Sequence, residues 1–349
     1  MKKLLSLLVC LAMLAALCAC GSTAGTDKTA ETEAPAQTAS ETAAETTAET
    51  GETADDGKTF TVGICQLTQH VALDAATQGF IDVLTEELGD SVTIVNQNAS
   101  GDIPTCATIV NGFVSDGVDL ILANATPALQ AAAAATDDIP ILGTAVTEYG
   151  VALDLTDFDG TVGGNISGTS DLAPLDQQAA MITELFPEAK TAGILYCSAE
   201  ANSVYQAEVV KAALEQAGLT VNIYTFADSN DVSSVTAVAC DESDVIYIPT
   251  DNTAASCAEA INNVAEPAGV PIVAGEEGIC TGCGVATLSI DYYELGRTTG
   301  AMAVRILRDG EDISTMPIEY FPDPVKEYNA AICESLGVTV PDDYVAIGE

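Results

Sequence analysis

Basic residues are scarce in this chain. It carries 10 Lys and Arg against 52 Asp and Glu, a formal charge of −42 over 349 residues. Nucleic-acid binding needs clustered Lys and Arg, and docking on anionic lipid needs the same, so both are excluded. The acidity itself keeps a surface soluble and names no partner. Tryptophan is absent and histidine occurs once, as His70. A lone histidine argues against a Ser-His-Asp triad or a histidine-built metal cage. Without Trp, the stacking platform typical of sugar pockets is weakened. The patterns GxxxxGK[ST], GxSxG, HExxH and GxGxxG are missing as well. Glu276-Glu277 are adjacent on a loop, which does not define the separation of a glycosidase pair. Neither an enzyme activity nor a metal or cofactor is expected.

Long apolar runs are missing too, with one exception at the start. Met1-Lys2-Lys3 precedes an almost wholly apolar stretch from Leu4 to Leu17, closed by Leu17-Cys18-Ala19-Cys20-Gly21. A basic start, a short apolar core and small residues before a cysteine describe an export signal. The run is too short for a permanent span. Its ending resembles a bacterial lipobox, so residues 1–20 read as a lipoprotein signal with Cys20 lipidated. The alternative is plain secretion with cleavage after Ala19 and a free Cys20. On either reading the body works outside the cytoplasmic membrane, and lipidation would tether it there. From Ser22 to about Lys58 the chain is Thr, Ala and Glu with hardly a large apolar residue. Such a stretch cannot offset its chain entropy by burial. Residues 21–58 are therefore expected to be a disordered tether with an r.m.s. reach of about 30 Å.

Cysteine is plentiful by contrast. Cys10, Cys18 and Cys20 belong to the leader, and the others lie in the body. Cys65, Cys106, Cys197, Cys240, Cys257 and Cys333 sit in apolar or helical contexts without a framework spacing, so mostly free, buried thiols are expected. Cys280-Thr-Gly-Cys283 is a lone CxxC; no second CxxC or nearby histidine completes a metal cage. It reads as structural or incidental.

From Phe60 onward, short apolar runs alternate with amphipathic stretches. Thr61–Ile64, Val92–Val95, Asp119–Ala123 and Ile139–Leu142 read as strands. Between them, helices are expected over Ala72–Leu88, over Thr105–Ser115 and after Pro127. The rhythm restarts with strands at Ala192–Tyr196, Thr220–Thr225, Val245–Ile248, Ile272–Ala274 and Val285–Ile290. Such alternation predicts an α/β fold with parallel sheets covered on both faces. Two successive sets predict two similar lobes. Gly160–Ser170 reads as the first crossing between them. A helix near Glu294–Leu307 and the segment from Ile318 offer two more.

In open parallel sheets, ligands sit beyond the carboxyl ends of the strands. Here those ends are polar and free of Lys and Arg. They include Gln66, Thr68 and His70 after the first strand, then Thr126, and Thr147. In the second half they bring Asn202, Ser203, Asp251, Asn252 and Glu276. Thr126, Ser203 or Thr253 alone would be read as a helix cap, and His70 as either a pocket residue or a cap. Without cations, a multiply charged phosphate or dicarboxylate is not expected. A single carboxylate can be held by hydroxyls and N–H groups at helix starts, and Asp251, Glu276 or Asp291 can neutralise an ammonium. That combination describes an α-amino acid site, although any one acid alone is better read as surface solvation.

Several ordered motifs carry a family resemblance: Gln66…His70-Val-Ala-Leu-Asp-Ala-Ala…Gly79-Phe80, Ala125-Thr-Pro-Ala128, Gly168-Thr-Ser-Asp171, Glu200-Ala-Asn-Ser203, Pro249-Thr-Asp-Asn-Thr253, Ala274-Gly-Glu-Glu277 and Ile290-Asp-Tyr-Tyr-Glu-Leu-Gly296. From Phe60 to the C-terminus the chain resembles the substrate-binding lipoproteins of ABC transporters with the type I periplasmic-binding-protein fold. The branch is the one associated with aromatic amino acids. The resemblance implies two Rossmann-like lobes joined by three hinge strands and closing on a small ligand. Placed on this chain, residues 59–165 with 292–316 make the first lobe and 166–291 with 317–349 the second. It also implies that Thr126 and Thr147 lie near the ligand's carboxylate. Asn202 and Asp251 would hold its polar groups from the other side, with Asp291 at a crossover and Ser170 and Asp171 in the site. Cys65 stands where family members often have an aliphatic residue.

The expected function is capture of an amino acid, aromatic by resemblance, by a monomer that delivers it to a permease. Permease and ATPase would be separate chains, since this one has neither later spans nor a P-loop. Two rivals keep the same fold: a binding protein for a nucleoside, peptide fragment or sugar, and a sensor feeding a membrane kinase.

Overall fold

The structure, a computed structural model, describes residues 58–321 and 323–348. The leader, the Cys20 lipidation site and the tether through residue 57 lie outside the described residues.

In chain order the first half contains β1 (Phe60–Gln66), α1 (Val71–Leu88), β2 (Val92–Asn98), α2 (Ile103–Asp116), β3 (Leu120–Asn124), α3 (Thr126–Ala135), β4 (Ile141–Val146), α4 (Tyr149–Ala152) and β5 (Ile166–Ser170). The second half contains α5 (Leu175–Leu185), β6 (Thr191–Cys197), α6 (Ala201–Gln216), β7 (Thr220–Phe226), α7 (Val232–Glu242), β8 (Val245–Ile248), α8 (Asn252–Ser256), α9 (Ala258–Ala268), β9 (Ile272–Ala274), α10 (Glu277–Cys283) and β10 (Ala286–Ser289). Then come α11 (Tyr292–Leu307), β11 (Glu319–Tyr320), β12 (Val325–Tyr328), α12 (Ala330–Leu336) and β13 (Val345–Ala346).

The strands form two sheets. The first has the order β11-β5-β4-β3-β1-β2, and the second β13-β12-β10-β9-β8-β6-β7. Central strands such as β3 and β8 are buried along their whole length, which is why they read as unbroken apolar runs. The edge strand β2 alternates and then opens to solvent. Apolar side chains cover both faces of each sheet: Phe113 and Leu73 on one side of the first, Phe80 and Leu84 on the other. Fully burying each such side chain contributes about 1.5–3 kcal/mol. One pairing departs from the expected all-parallel pattern, since β12 runs antiparallel to β10.

The chain crosses between the sheets three times: after β5, after β10, and between Tyr320 and Val325. The first and last crossings fall later than the sequence suggested. Ile166–Ser170 lies within the run expected to cross, yet it pairs with β4, and Glu319–Tyr320 pairs with it in turn. The boundaries at 165/166 and 316/317 therefore move to the residues after 170 and after 320. The small polar residues of β5 mislead because Ser167, Thr169 and Ser170 are buried and find their partners inside the fold.

Helix α11, which follows the second sheet, returns to pack on α1 of the first. The two backbones nearly touch. A Cβ on Gly296 would lie 2.0 Å from the Ala76 carbonyl oxygen, and one on Gly79 would lie 2.1 Å from that of Tyr293. Only glycine permits that approach. The contact locks the C-terminal part of the chain onto the first lobe and fixes where the middle crossing must lie.

Among the described residues no helix is long and apolar enough to cross a membrane. All eight cysteines of the body are free thiols; Cys257 is partly buried and the rest are buried. Cys65 points at the Cys106 carbonyl, 4.0 Å away. Among the described residues no group of His, Cys, Asp and Glu could hold a metal ion, so Cys280 and Cys283 pack as core thiols.

Candidate functional site

The carboxyl ends of the two sheets face each other across a cleft. His70, at the start of α1, meets Asn252, at the start of α8, with Nε2 3.2 Å from Oδ1. Helix α4 packs on α6, and α1 on α10, so the lobes are closed. A cavity of about 140 Å³ remains between them at the β1 and β6 end, lined by Leu67, Thr68, Glu200 and Thr253 among others. A second, of about 350 Å³, lies where α1, α10 and two crossings converge, with Glu277, Asp291 and Glu327 in its wall.

The first lobe prepares its polar groups and leaves them open. Ala125 has a φ of 93°, a conformation that costs a non-glycine residue about 1–3 kcal/mol. It turns the chain sharply out of β3 into α3, a ten-residue helix whose N-terminus no side chain caps. Thr126 opens that helix with its Oγ1 buried and unpartnered. Ala145 is also left-handed, with a φ of 51°, at an irregularity in β4 between Gly143 and Val146. The irregularity delivers Thr147, which is buried and whose carbonyl accepts from Ser170 Oγ at 2.8 Å. Gln66 serves a structural role. Its amide donates to Thr68 O and Asp74, and accepts from Thr77, tying β1 to α1. Asn124 continues that network to Thr77 and Leu73 O, with its own Oδ1 left over.

The second lobe spends its acids on its own helix starts. Asp251 caps α8 through Ala254 N–H at 2.7 Å and accepts from Cys197 N–H and Ser203 Oγ. Glu200 takes five donors: the N–H and Nδ2 of Asn252, the N–H and Oγ1 of Thr253, and Asn202 Nδ2. Glu276 caps α10 through Gly278 and Ile279 N–H. Burial pushes the Asp251 carboxyl up to about 8, with the Glu200 charge adding to it and the three donors opposing. Burial likewise lifts Glu276 to about 7 against its two N–H donors. Asn202 donates to Thr250 O at 2.9 Å, and its Oδ1 is buried without a partner.

Asp171 stands at the first crossing, fully enclosed. Tyr292, from the second crossing, donates its hydroxyl to Oδ2 at 3.0 Å, while Oδ1 has no hydrogen bond. Burial raises its carboxyl to about 6, and the Thr147 and Tyr292 hydroxyls restrain the rise. Asp291, by contrast, is exposed and caps α11 through Glu294 N–H. Sequence reasoning did not single out Tyr292 or Glu200, although both fall within the quoted motifs. Their roles depend on partners 121 and 52 residues away.

The model of the family described as ABC transporter substrate binding protein matches residues 61–347. The chain belongs to this family. Membership makes it an extracytoplasmic, non-enzymatic binding protein for a small molecule. The chain is 37% identical over 267 residues to a tyrosine-binding protein of Clostridioides difficile, covering 76% of this chain and 77% of the relative. An ABC domain from Streptococcus pneumoniae in complex with L-Trp aligns with a TM-score of 0.78 at 35% identity, over 82% of this chain and 97% of that one. A ligand-free, open substrate-binding protein with adhesive properties from Clostridium difficile gives 0.63 at 36% identity, over 82% of this chain and 99% of that one. Identity and coverage of this chain being alike, the higher score with the ligand-bound neighbour accords with the closed lobes. The fold is that of type I periplasmic binding proteins.

Proposed function

We propose that this substrate-binding protein captures an aromatic L-amino acid in the cleft and delivers it to an ABC permease. The observation that carries the reading is a set of buried groups without partners at the cleft: Thr126 Oγ1, Asp171 Oδ1 and Asn202 Oδ1. Leaving such groups unmet costs about 1–3 kcal/mol each, so a ligand that satisfies them is strongly favoured. One is a hydroxyl at an open helix start, suited to a carboxylate. Two are acceptors, one of them a carboxyl, suited to an ammonium. The α-carboxylate would lie at Thr126 and Thr147, and the ammonium at Asp171 and Asn202. The ligands of the two relatives, tyrosine and L-Trp, support an aromatic side chain. Because the ligand contacts both lobes, it selects the closed state.

The residues 1–20 pattern supports lipidation at Cys20, leaving the body to act as a monomer on a tether, with permease and ATPase as separate chains. Isothermal titration of the mature protein with the twenty amino acids tests the ligand class. Saturable binding confined to aromatic members is expected; no binding to any of the twenty overturns the reading.

A further inference from the structure

His70 is the single histidine of the chain, and its two ring nitrogens have different fates. Nε2 faces Asn252 Oδ1 at 3.2 Å. Nδ1 is buried and has no partner, and the side chain does not cap α1.

The neighbours fix which nitrogen holds the proton. Glu200 receives five donors over its two oxygens, so both oxygens act as acceptors. It therefore requires the NH₂ end of the Asn252 amide, held at 2.6 Å. That leaves Asn252 Oδ1 toward the imidazole, so Nε2 must carry hydrogen. Burial lowers the tendency of the ring to take a second proton. Nδ1 is left as a bare acceptor, shut off from solvent in a closed cleft.

We propose that His70 Nδ1 accepts a hydrogen bond from the ligand's side chain, and that the site thereby selects aromatic amino acids whose ring carries a donor, a phenol O–H or an indole N–H, over phenylalanine. The inference rests on the amino-acid reading above. There the ammonium is already taken by Asp171 and Asn202, so the remaining donor on such a ligand is on its ring. A site built around an acceptor discriminates against an analogue lacking the donor, because the acceptor then stays buried and unmet. His70 acts here as a specificity-determining residue, oriented through Asn252 by Glu200.

The lone histidine makes the test direct. Imidazole ¹⁵N resonances of the mature protein would be recorded free and with L-tyrosine, L-tryptophan, L-phenylalanine and O-methyl-L-tyrosine, beside titration calorimetry with the same four. Tyrosine and tryptophan are expected to move the Nδ1 resonance toward the hydrogen-bonded position and to bind at least about tenfold more tightly than phenylalanine. O-methyltyrosine should behave as phenylalanine does. His70→Leu should collapse the tyrosine-to-phenylalanine ratio toward unity, and His70→Gln, which offers an amide oxygen, should restore part of it. Equal affinities, or the same Nδ1 displacement by all four ligands, would overturn the proposal while leaving the amino-acid reading intact. Failure of all four to bind would overturn both.

Discussion

The two lobes share a rhythm of strand and helix, but α8 and α10 of the second start on buried acids while α3 of the first starts without a side-chain cap. In the second, Asp251, Glu200 and Glu276 sit on the N-terminal N–H groups of α8 and α10. Those carboxyl oxygens are committed to helix-start N–H groups before any ligand arrives. In the first, the start of α3 has no cap and Thr126 Oγ1 has no partner. The starts of α8 and α10 are thus already filled, and the start of α3 holds an unfilled place. On the reading proposed above, a zwitterion entering the cleft turns its carboxylate toward the open start of α3. Asp171, at the crossing, belongs to both arrangements: one oxygen is held by Tyr292 and the other is open.

That contrast is broken most severely at the crossing. Asp171→Asn keeps the shape and removes the charge facing the ammonium. Truncating one partner of a buried charged pair costs about 2–5 kcal/mol, so the Kd for tyrosine should rise by at least roughly 30-fold. Calorimetry would show it, and an unchanged Kd would move the ammonium elsewhere.

A paired comparison sharpens the difference between lobes. Thr126→Val should weaken binding about tenfold or more while leaving the melting temperature of the free protein unchanged, since Oγ1 makes no bond within it. Ser203→Ala should do the reverse. It strips a donor from the buried Asp251, at about 1–3 kcal/mol of stability, with little change in affinity. If thermal denaturation and calorimetry gave the opposite assignment, the division of labour described here would be wrong.

The smallest expected effect is on pH. Asp171, Glu276 and Asp251 have carboxyls raised by burial to about 6, 7 and 8. Groups raised in the folded state contribute stability that is fully present below their ordinary values. That contribution is lost as pH rises through the folded values. Through these three groups the melting temperature of the ligand-free protein should fall by several degrees as pH rises from about 4 to 9. Affinity should move the other way at the acid end. Below about pH 6 Asp171 protonates and loses the charge proposed to face the ammonium, while burial keeps His70 neutral. Scanning calorimetry with and without tyrosine across this range would reveal the two slopes.

Much of this was readable from residues. The strand and helix rhythm was plain because buried parallel strands such as Leu120–Asn124 are unbroken apolar runs. The polar strand ends marked the cleft. The crossing at Gly160–Ser170 was misread because buried serines and threonines in β5 look like loop residues until their partners, such as Met316 O and Thr299, are seen. Among candidate site residues, sequence could not separate Asp251 and Glu276, which cap helices, from Asp171, which is left open. All three are acids at strand ends.

Sequence alone settled the class of the molecule, through charge, missing catalytic patterns and the alternation of elements, because these are local properties of composition and spacing. Only the tertiary structure decided which polar atoms remain unpartnered. Whether a hydroxyl or carboxyl is satisfied depends on groups brought to it from 50 to 120 residues away, and an unpaired buried atom has no signature along the chain.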